Sequence, residues 1–121
     1  MANPNIATAT NIYGRTICHA VTTGNVNVTG GVPSNRIYKV NSVIISNVDG
    51  TSAADVSVTF FDASSSTGYS LAKTISVPAD ATLVVISKDT QIYLEEGDAI
   101  FVLASANSAL NAIISFEEIY A

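Results

Sequence analysis

Apolar residues recur at every second position in many segments of the chain, which is the spacing of a strand with one buried face. Within residues 54–61, Val56, Val58 and Phe60 fall on one face, and Ile114 and Phe116 do the same near the end of the chain. Val, Ile and Thr, which favour strands, are frequent throughout, and the spacing of an amphipathic helix is nearly absent. The pattern therefore predicts an all-β protein.

Turn residues divide this pattern into short strands. The apolar phase slips near Asn41 and Ser42, where we expect a β-bulge or a bend. Residues 82–87 are apolar on both faces, which indicates a strand buried on both sides. We predict one antiparallel domain over residues 1–121, a β-sandwich or a jelly roll of about 8–10 short strands. The expected strands cover residues 6–13, 15–22, 26–28, 36–48, 54–61, 69–77, 82–87, 91–94, 99–104 and 111–120.

Two local features add detail to this domain. The dipeptide Asp49-Gly50 is a strong turn signal and predicts a hairpin between the strands on either side of it. Residues 1–12 are polar, rich in Asn and interrupted by Pro4. This composition favours an N-terminal arm that lies on a neighbouring subunit.

Composition excludes several classes of protein. Of the 121 residues, 48% are hydrophobic and 12% are charged, against about 25% charged in a typical domain. Such a chain is not intrinsically disordered, and its net charge of −5 argues against binding to nucleic acid. No apolar run approaches the roughly 20 residues of a membrane-spanning helix. The first residues do not read as a signal peptide, so we expect synthesis and solubility in a cytoplasm.

The scarcity of lysine bears on assembly. Monomeric β proteins commonly protect exposed sheet edges with Lys or Pro, and this chain has only Lys39, Lys73 and Lys88. Surfaces low in charge suit contact with other proteins. We therefore predict a symmetric homo-oligomer, with a trimer as the working hypothesis.

Residues that could carry catalysis do not form a recognisable set. Cys18 and His19 are adjacent, so a strand points them to opposite faces, and we expect a buried Cys18 and a partly exposed His19. A single cysteine excludes a cysteine-based zinc site. Glu95, Glu96 and Asp98 share one turn and are weak candidates for a bound cation, although they lack the ligand spacing of an EF-hand loop. We predict a non-enzymatic protein without a cofactor.

Tyrosines leave one further alternative open. Aromatic side chains can stack on sugar rings, as in carbohydrate-binding β-sandwich modules, and such a site would show exposed tyrosines on one patch. Tyrosines in strands otherwise fill half-buried cross-strand pairs. The residues concerned are Tyr13, Tyr38, Tyr69, Tyr93 and Tyr120.

Part of the chain resembles a known group of proteins. The segments that carry the resemblance are residues 38–51, 53–58, 75–86, 92–98 and 113–119. They are similar to small virion proteins of tailed bacteriophages, particularly marine ones, and the likeness extends over about residues 36–120.

The resemblance implies a structural role in a virus particle and no catalytic residues. Its best-matching role is that of a capsid decoration (cement) protein, which binds the assembled shell and stabilises the joints between capsomers. The implied partners are further copies of the chain and the major capsid protein or another virion protein. Neck, tail or fibre components, and a carbohydrate- or receptor-binding module, are the alternatives.

Overall fold

In the computed structural model, which describes residues 3–121, nine strands form two antiparallel sheets that pack face to face. Short 3₁₀ turns cover Ile6–Thr8 and Lys88–Thr90. None of the described helices is long and apolar enough to cross a membrane. The strands are β1 (Asn11–Ala20), β2 (Val26–Asn27), β3 (Ile37–Asn47), β4 (Ala54–Asp62), β5 (Thr67–Val77), β6 (Thr82–Ile86), β7 (Ile92–Leu94), β8 (Ala99–Ala104) and β9 (Leu110–Tyr120).

Strand pairing is nested. In sheet A, β1 pairs with β9, β9 with β3, and β3 in turn with both β6 and β7 along its other side. In sheet B the order is β2, β8, β4, β5. The first strand thus pairs with the last, the second with the next to last, and so on to the β4–β5 hairpin, which is the winding of a jelly roll. The predicted all-β antiparallel sandwich is confirmed.

The core lies between the inner faces of the two sheets. Val58 of sheet B and Ile114 of sheet A are completely buried, as the alternation in the sequence predicted. Phe116 is also buried, and its ring stacks on that of Tyr38 with 4.5 Å between the centroids. Phe60 shares the face of Val58 but is only partly buried. Removing these apolar surfaces from water is the main stabilising contribution to the fold.

The predicted hairpin at Asp49-Gly50 is wrong, because β3 lies in sheet A and β4 in sheet B. The segment crosses between the sheets, and Asp49 holds it in a turn by accepting hydrogen bonds from the backbone N–H groups of Thr51 and Ser52. An Asp side chain can stabilise such a turn in any loop. The hairpin of this region is instead β4–β5, closed by residues 63–66.

Two other predictions about strands also fail. Residues 6–13 and 15–22 do not form separate strands: Gly14 lies inside β1, paired with Glu117, and Ile6–Thr8 is a 3₁₀ turn. The strand β6 is not buried on both faces, since Val84 is 56% exposed. Its second apolar face points out of the sandwich.

Irregular pairing occurs where the sequence indicated it and also in the β3–β6 and β4–β5 pairs, where the sequence did not indicate it. The register of β3 against β9 shifts between Val40 and Ser42, so the expected bulge is confirmed. In β5, Lys73 and Thr74 together oppose Ser57 of β4. Thr74 has a φ of 50°, a left-handed conformation that costs a β-branched residue on the order of 1–3 kcal/mol.

Candidate assembly surface

The outer face of sheet A is built from cross-strand rows of small and apolar side chains. Directly paired residues share a face, so the register gives the rows without ambiguity. The side chains of Thr16 and Ser115, 3.0 Å apart, confirm the assignment for β1 and β9. The rows are Ala20–Asn111–Ser46–Thr82, then Cys18–Ile113–Ile44–Val84, then Thr16–Ser115–Ser42.

These three rows, named here the uncharged face, contain no ionisable side chain except the Cys18 thiol. The middle row is apolar, and two of its members are well exposed, Ile113 at 37% and Val84 at 56%. Hydroxyl and amide side chains flank it on both sides. An exposed sheet face with an apolar centre, a polar surround and no charge has the composition of a protein–protein interface.

Charged residues lie along one border of the uncharged face. The next row along the strands pairs Glu117 with Lys39, and Lys39 with the half-exposed Tyr93. Asn41, at the bulge, donates its side-chain amide to Glu117 and accepts one from Gln91. This row therefore marks the edge of the patch.

Beyond this row, residues 3–10 cross the end of sheet A. The strand β1 begins at Asn11 on one side of the sheet, and the side chain of Asn3 donates to Glu95, just after β7 on the other side. Ile37 and Ile119 pair with each other at this end and are 6% and 2% exposed, although alternation turns them outward. We expect the crossing segment to cover these two side chains.

The predicted arm, residues 1–12, is thus divided in the structure. Residues 11 and 12 belong to β1, residues 3–10 precede it and are tied to the same chain through Asn3 and Glu95, and Met1 and Ala2 are outside the described residues. Contact of the arm with a neighbouring subunit stays a prediction.

Both arginines of the chain converge on one buried carboxylate. Arg15 Nε and Arg36 Nη1 each lie 2.6 Å from Glu118, whose side chain is 6% exposed. The guanidinium of Arg36 also stacks over the ring of Tyr120 at 3.9 Å. The cluster joins β1, β9 and the residue before β3, and it was not anticipated from the sequence. The signal available in the sequence was that Glu118, unlike its neighbour Glu117, falls in phase with the inward-facing residues Ile114 and Phe116.

The cluster shifts the pKa of its members. Burial raises the pKa of Glu118, but the hydrogen bonds and charges of Arg15 and Arg36 outweigh this effect and leave the pKa below its ordinary value. The hydrogen bond to Glu118 raises the pKa of Arg36. Burial, followed by the charge of Glu118, raises the pKa of Tyr38. Glu118 is therefore ionised at neutral pH and acts as a structural tie between strands.

The Cys18–His19 pair does not form a catalytic unit. Cys18 pairs with Ile113 on the outer face, and His19 pairs with Ala112 on the inner face, so the opposite orientation is confirmed. The expected burial of Cys18 is wrong, because the thiol is exposed. It lies on the outer face of an edge strand, where no second sheet covers it. The Nε2 atom of His19 is buried without a hydrogen-bond partner among the described residues.

Glu95, Glu96 and Asp98 lie in one turn, but their side chains bind within the protein. Asp98 is 2% exposed and accepts hydrogen bonds from the backbone N–H groups of Ala63 and Glu95 at 2.9 Å. Glu95 accepts from Asn3, and Glu96 from Ser34. Across residues 3–121, no group of three His, Cys, Asp or Glu residues is arranged to hold a metal ion. Asp98 therefore serves to fix the turn.

The tyrosines do not form one platform. Tyr38 is in the core, whereas Tyr13, Tyr69 and Tyr93 are each about half exposed. Tyr69 belongs to sheet B, and the other two exposed rings to opposite edges of sheet A. A ring contact exists only between Tyr13 and Tyr120 among these side chains in the described part of the chain, with centroids 6.0 Å apart.

Comparison with known proteins yields likeness in structure only. No family model and no curated protein sequence matches the chain. A subunit of the disulfide-linked pili that form Bacillus endospore appendages superimposes with a TM-score of 0.52 at 16% identity, covering 100% of this chain and 96% of its own. This likeness shows a shared fold.

Two viral proteins give lower scores. A chain of the virus-like particle of extra small virus, from the giant freshwater prawn Macrobrachium rosenbergii, has a TM-score of 0.47 at 12% identity, with 92% of this chain and 79% of that chain covered. A chain of the cyanophage Pam1 capsid asymmetric unit has a TM-score of 0.43 at 16% identity, with 100% and 93% covered.

Proposed function

We propose that the chain is a non-enzymatic structural protein of a virus particle, which docks on an assembled protein shell through the uncharged face of sheet A. Within that role we propose capsid decoration: each copy binds the finished shell, in the company of other copies, and stabilises the joints between capsomers. The major capsid protein is the proposed partner, and a trimer the proposed arrangement.

The observation that carries the proposal is the charge distribution on sheet A. The uncharged face spans β1, β9, β3 and β6, and its middle row exposes Ile113 and Val84 to water. A lone monomer gains nothing from such a surface, because exposed apolar area promotes association. A protein that binds only the assembled shell stabilises it by mass action.

The resemblance of residues 36–120 to virion proteins of tailed bacteriophages supports the choice of a virus particle. Decoration also requires a subunit that is stable before it meets the shell. The buried core and the Glu118 cluster, which joins β1 to β9 and to the start of β3, meet that requirement.

A binding assay with undecorated particles tests the proposal. The wild-type chain and the Val84→Asp variant are mixed with shells that lack the protein, and the bound fraction is measured after sedimentation. We expect Val84→Asp to weaken binding at least about tenfold, because it buries an unpaired charge in the contact. The matched control is Leu71→Asp, which places the same charge on an apolar residue that is 37% exposed in β5 of sheet B.

Copy number in purified particles separates decoration from the other virion roles. Quantitative mass spectrometry against the major capsid protein is expected to give comparable amounts of the two chains. A few copies per particle would indicate the neck, tail or fibres, and absence from particles would overturn the structural role.

A filament subunit is the second candidate, favoured by the fold shared with the Bacillus pilus protein over the whole chain. Electron microscopy of the concentrated wild-type chain without shells tests it. Ordered filaments, lost in Val84→Asp, would support this candidate over decoration.

A further inference from the structure

A strained β-bulge in β5, on the outer face of sheet B, holds a set of polar groups in place. Thr74 adopts a φ of 50° in the bulge of β5, and its backbone N–H donates to Ser57 Oγ at 3.0 Å. On the other side of β4, the N–H of Asp55 donates to Ser105 Oγ at 2.9 Å. Backbone strain and bulges concentrate at binding sites, and here both border a cavity.

The cavity has a volume of about 150 Å³ and is open to solvent. The residues that line it comprise one with a carboxylate, three with a hydroxyl group and two that are apolar. It is formed by Asp55, Ser57, Thr74, Leu103, Ala104 and Ser105. A cavity of this size is smaller than the sites of drug-sized ligands, so a ligand would place a single ring or a short chain of atoms in it.

Several polar atoms of the cavity are free to bind. Within residues 3–121, the carboxylate of Asp55 makes no hydrogen bond or ion pair, and neither does the hydroxyl group of Thr74. The oxygens of Ser57 and Ser105 each accept from a backbone N–H, so their hydroxyl protons point elsewhere and can be donated. The site thus offers a charged acceptor, donors in fixed positions, and an apolar wall at Leu103.

We propose that this cavity binds one sugar ring of a saccharide. Each sugar hydroxyl both donates and accepts a hydrogen bond: Asp55 would accept from such hydroxyls, and Ser57 and Ser105 would donate to them. The C–H face of the ring would pack against Leu103. A hydrogen bond to a charged group is the strongest of these contacts, so Asp55 is expected to contribute most of the affinity.

The proposal does not rest on the function proposed above, because the two surfaces lie on opposite sides of the molecule. The uncharged face belongs to sheet A and the cavity to the outer side of sheet B. A subunit docked through sheet A would leave the cavity facing solvent. The site also differs from the sequence-based carbohydrate hypothesis, since it contains no tyrosine.

Nuclear magnetic resonance tests the site directly. Glucose, galactose, mannose and N-acetylglucosamine are titrated separately into the ¹⁵N-labelled chain, with glycerol as the control polyol. We expect at least one sugar to move the amide signals of Asp55, Thr74 and Ser105 along a saturating curve. Asp55→Asn is expected to weaken that binding about tenfold or more, whereas Asp89→Asn, an exposed acid in the turn at Lys88–Thr90, leaves it unchanged.

A second variant separates a binding role from a purely structural one. Thr74→Gly relieves the left-handed strain and removes a hydroxyl, so we expect an equal or higher melting temperature together with weaker sugar binding. The proposal is overturned if none of the four sugars moves these signals, if Asp55→Asn responds like the wild type, or if glycerol gives the same response, which would show adventitious polyol contact only.

Discussion

The side-chain amide of Asn47, at the end of β3 in sheet A, donates a 2.8 Å hydrogen bond to the carbonyl oxygen of Val77, at the end of β5 in sheet B. The same amide group donates to Ser52, and its oxygen accepts from the N–H of Asp49. One buried side chain therefore ties both sheets to the loop that crosses between them.

Replacing Asn47 by Ala is expected to destabilise the fold by about 1–3 kcal/mol, because it leaves the buried carbonyl of Val77 without its donor. Urea unfolding followed by circular dichroism measures the free energy of unfolding. Asn27→Ala, an exposed amide in β2, is the control and is expected to match the wild type. Equal stability of the two variants would contradict the role assigned to Asn47.

A valine-to-aspartate substitution is expected to prevent folding in the core and to leave folding intact on the outer face of sheet A. Val58 is completely buried, so Val58→Asp introduces an unpaired charge into the core and should abolish soluble expression. Val84→Asp puts the same group on an exposed position and should give a folded protein. Expression yield and thermal melting check both; a normally melting Val58→Asp would show that Val58 is not in the core.

The Glu118 cluster predicts a dependence of stability on pH. Because the pKa of Glu118 is lowered on folding, its contribution is fully present above the pKa of the unfolded chain and is lost as the pH falls through the lowered value. Unfolding free energies from neutral to acid pH should fall less steeply in Glu118→Gln than in the wild type. An unchanged slope in Glu118→Gln would rule out the cluster as the source of this pH dependence.

Asp98 is expected to stabilise its turn without a metal ion. Asp98→Asn replaces one acceptor by a donor facing a backbone N–H, so it should cost about 1–3 kcal/mol. Treatment with a chelator should leave the melting temperature of the wild type unchanged. A clear decrease after chelation would instead revive the cation site at Glu95, Glu96 and Asp98.

Removal of residues 1–10 tests the N-terminal segment. The truncated chain should retain its β circular dichroism spectrum, because β1 begins at Asn11, but should expose Ile37 and Ile119. If the segment also acts as an arm, binding to undecorated shells should weaken. Undiminished binding would show that residues 1–10 make no contact with the neighbouring subunit.

Strand positions were largely predictable because they depend on local patterns. The alternation around Val58 and Ile114 gave the buried faces, and the phase slip at Asn41 located the bulge. The connection at Asp49 was not predictable in this way, since an Asp-Gly turn is compatible with a hairpin and with a crossing between sheets. Whether β4 joins the sheet of β3 or the other sheet is decided by pairing with strands far away in the sequence.

The candidate surface depends on that same long-range information. Ile113, Ile44 and Val84 are far apart in the chain and form a row only through the register of three strands. The apolar outer face of β6 was visible in the sequence, but burial inside the domain and burial against a partner leave the same pattern. The role of the Asp55 carboxylate could not be predicted from the sequence either, because the cavity that it lines is formed together with the bulge at Thr74.

The nested pairing has a consequence for the order of folding. The strand β9 lies between β1 and β3, so the ninth of the described strands in chain order occupies an interior position of sheet A. Until it is available, β1 has no strand to pair with, and the inner face of β3 lacks the Ile114 and Phe116 side chains. Contacts between strands that are far apart in the chain also form slowly, because closing a long loop costs more entropy than closing a short one. Sheet A is therefore completed only once β9 has been synthesised, and a ribosome-bound chain that stops short of β9 should remain a substrate for chaperones.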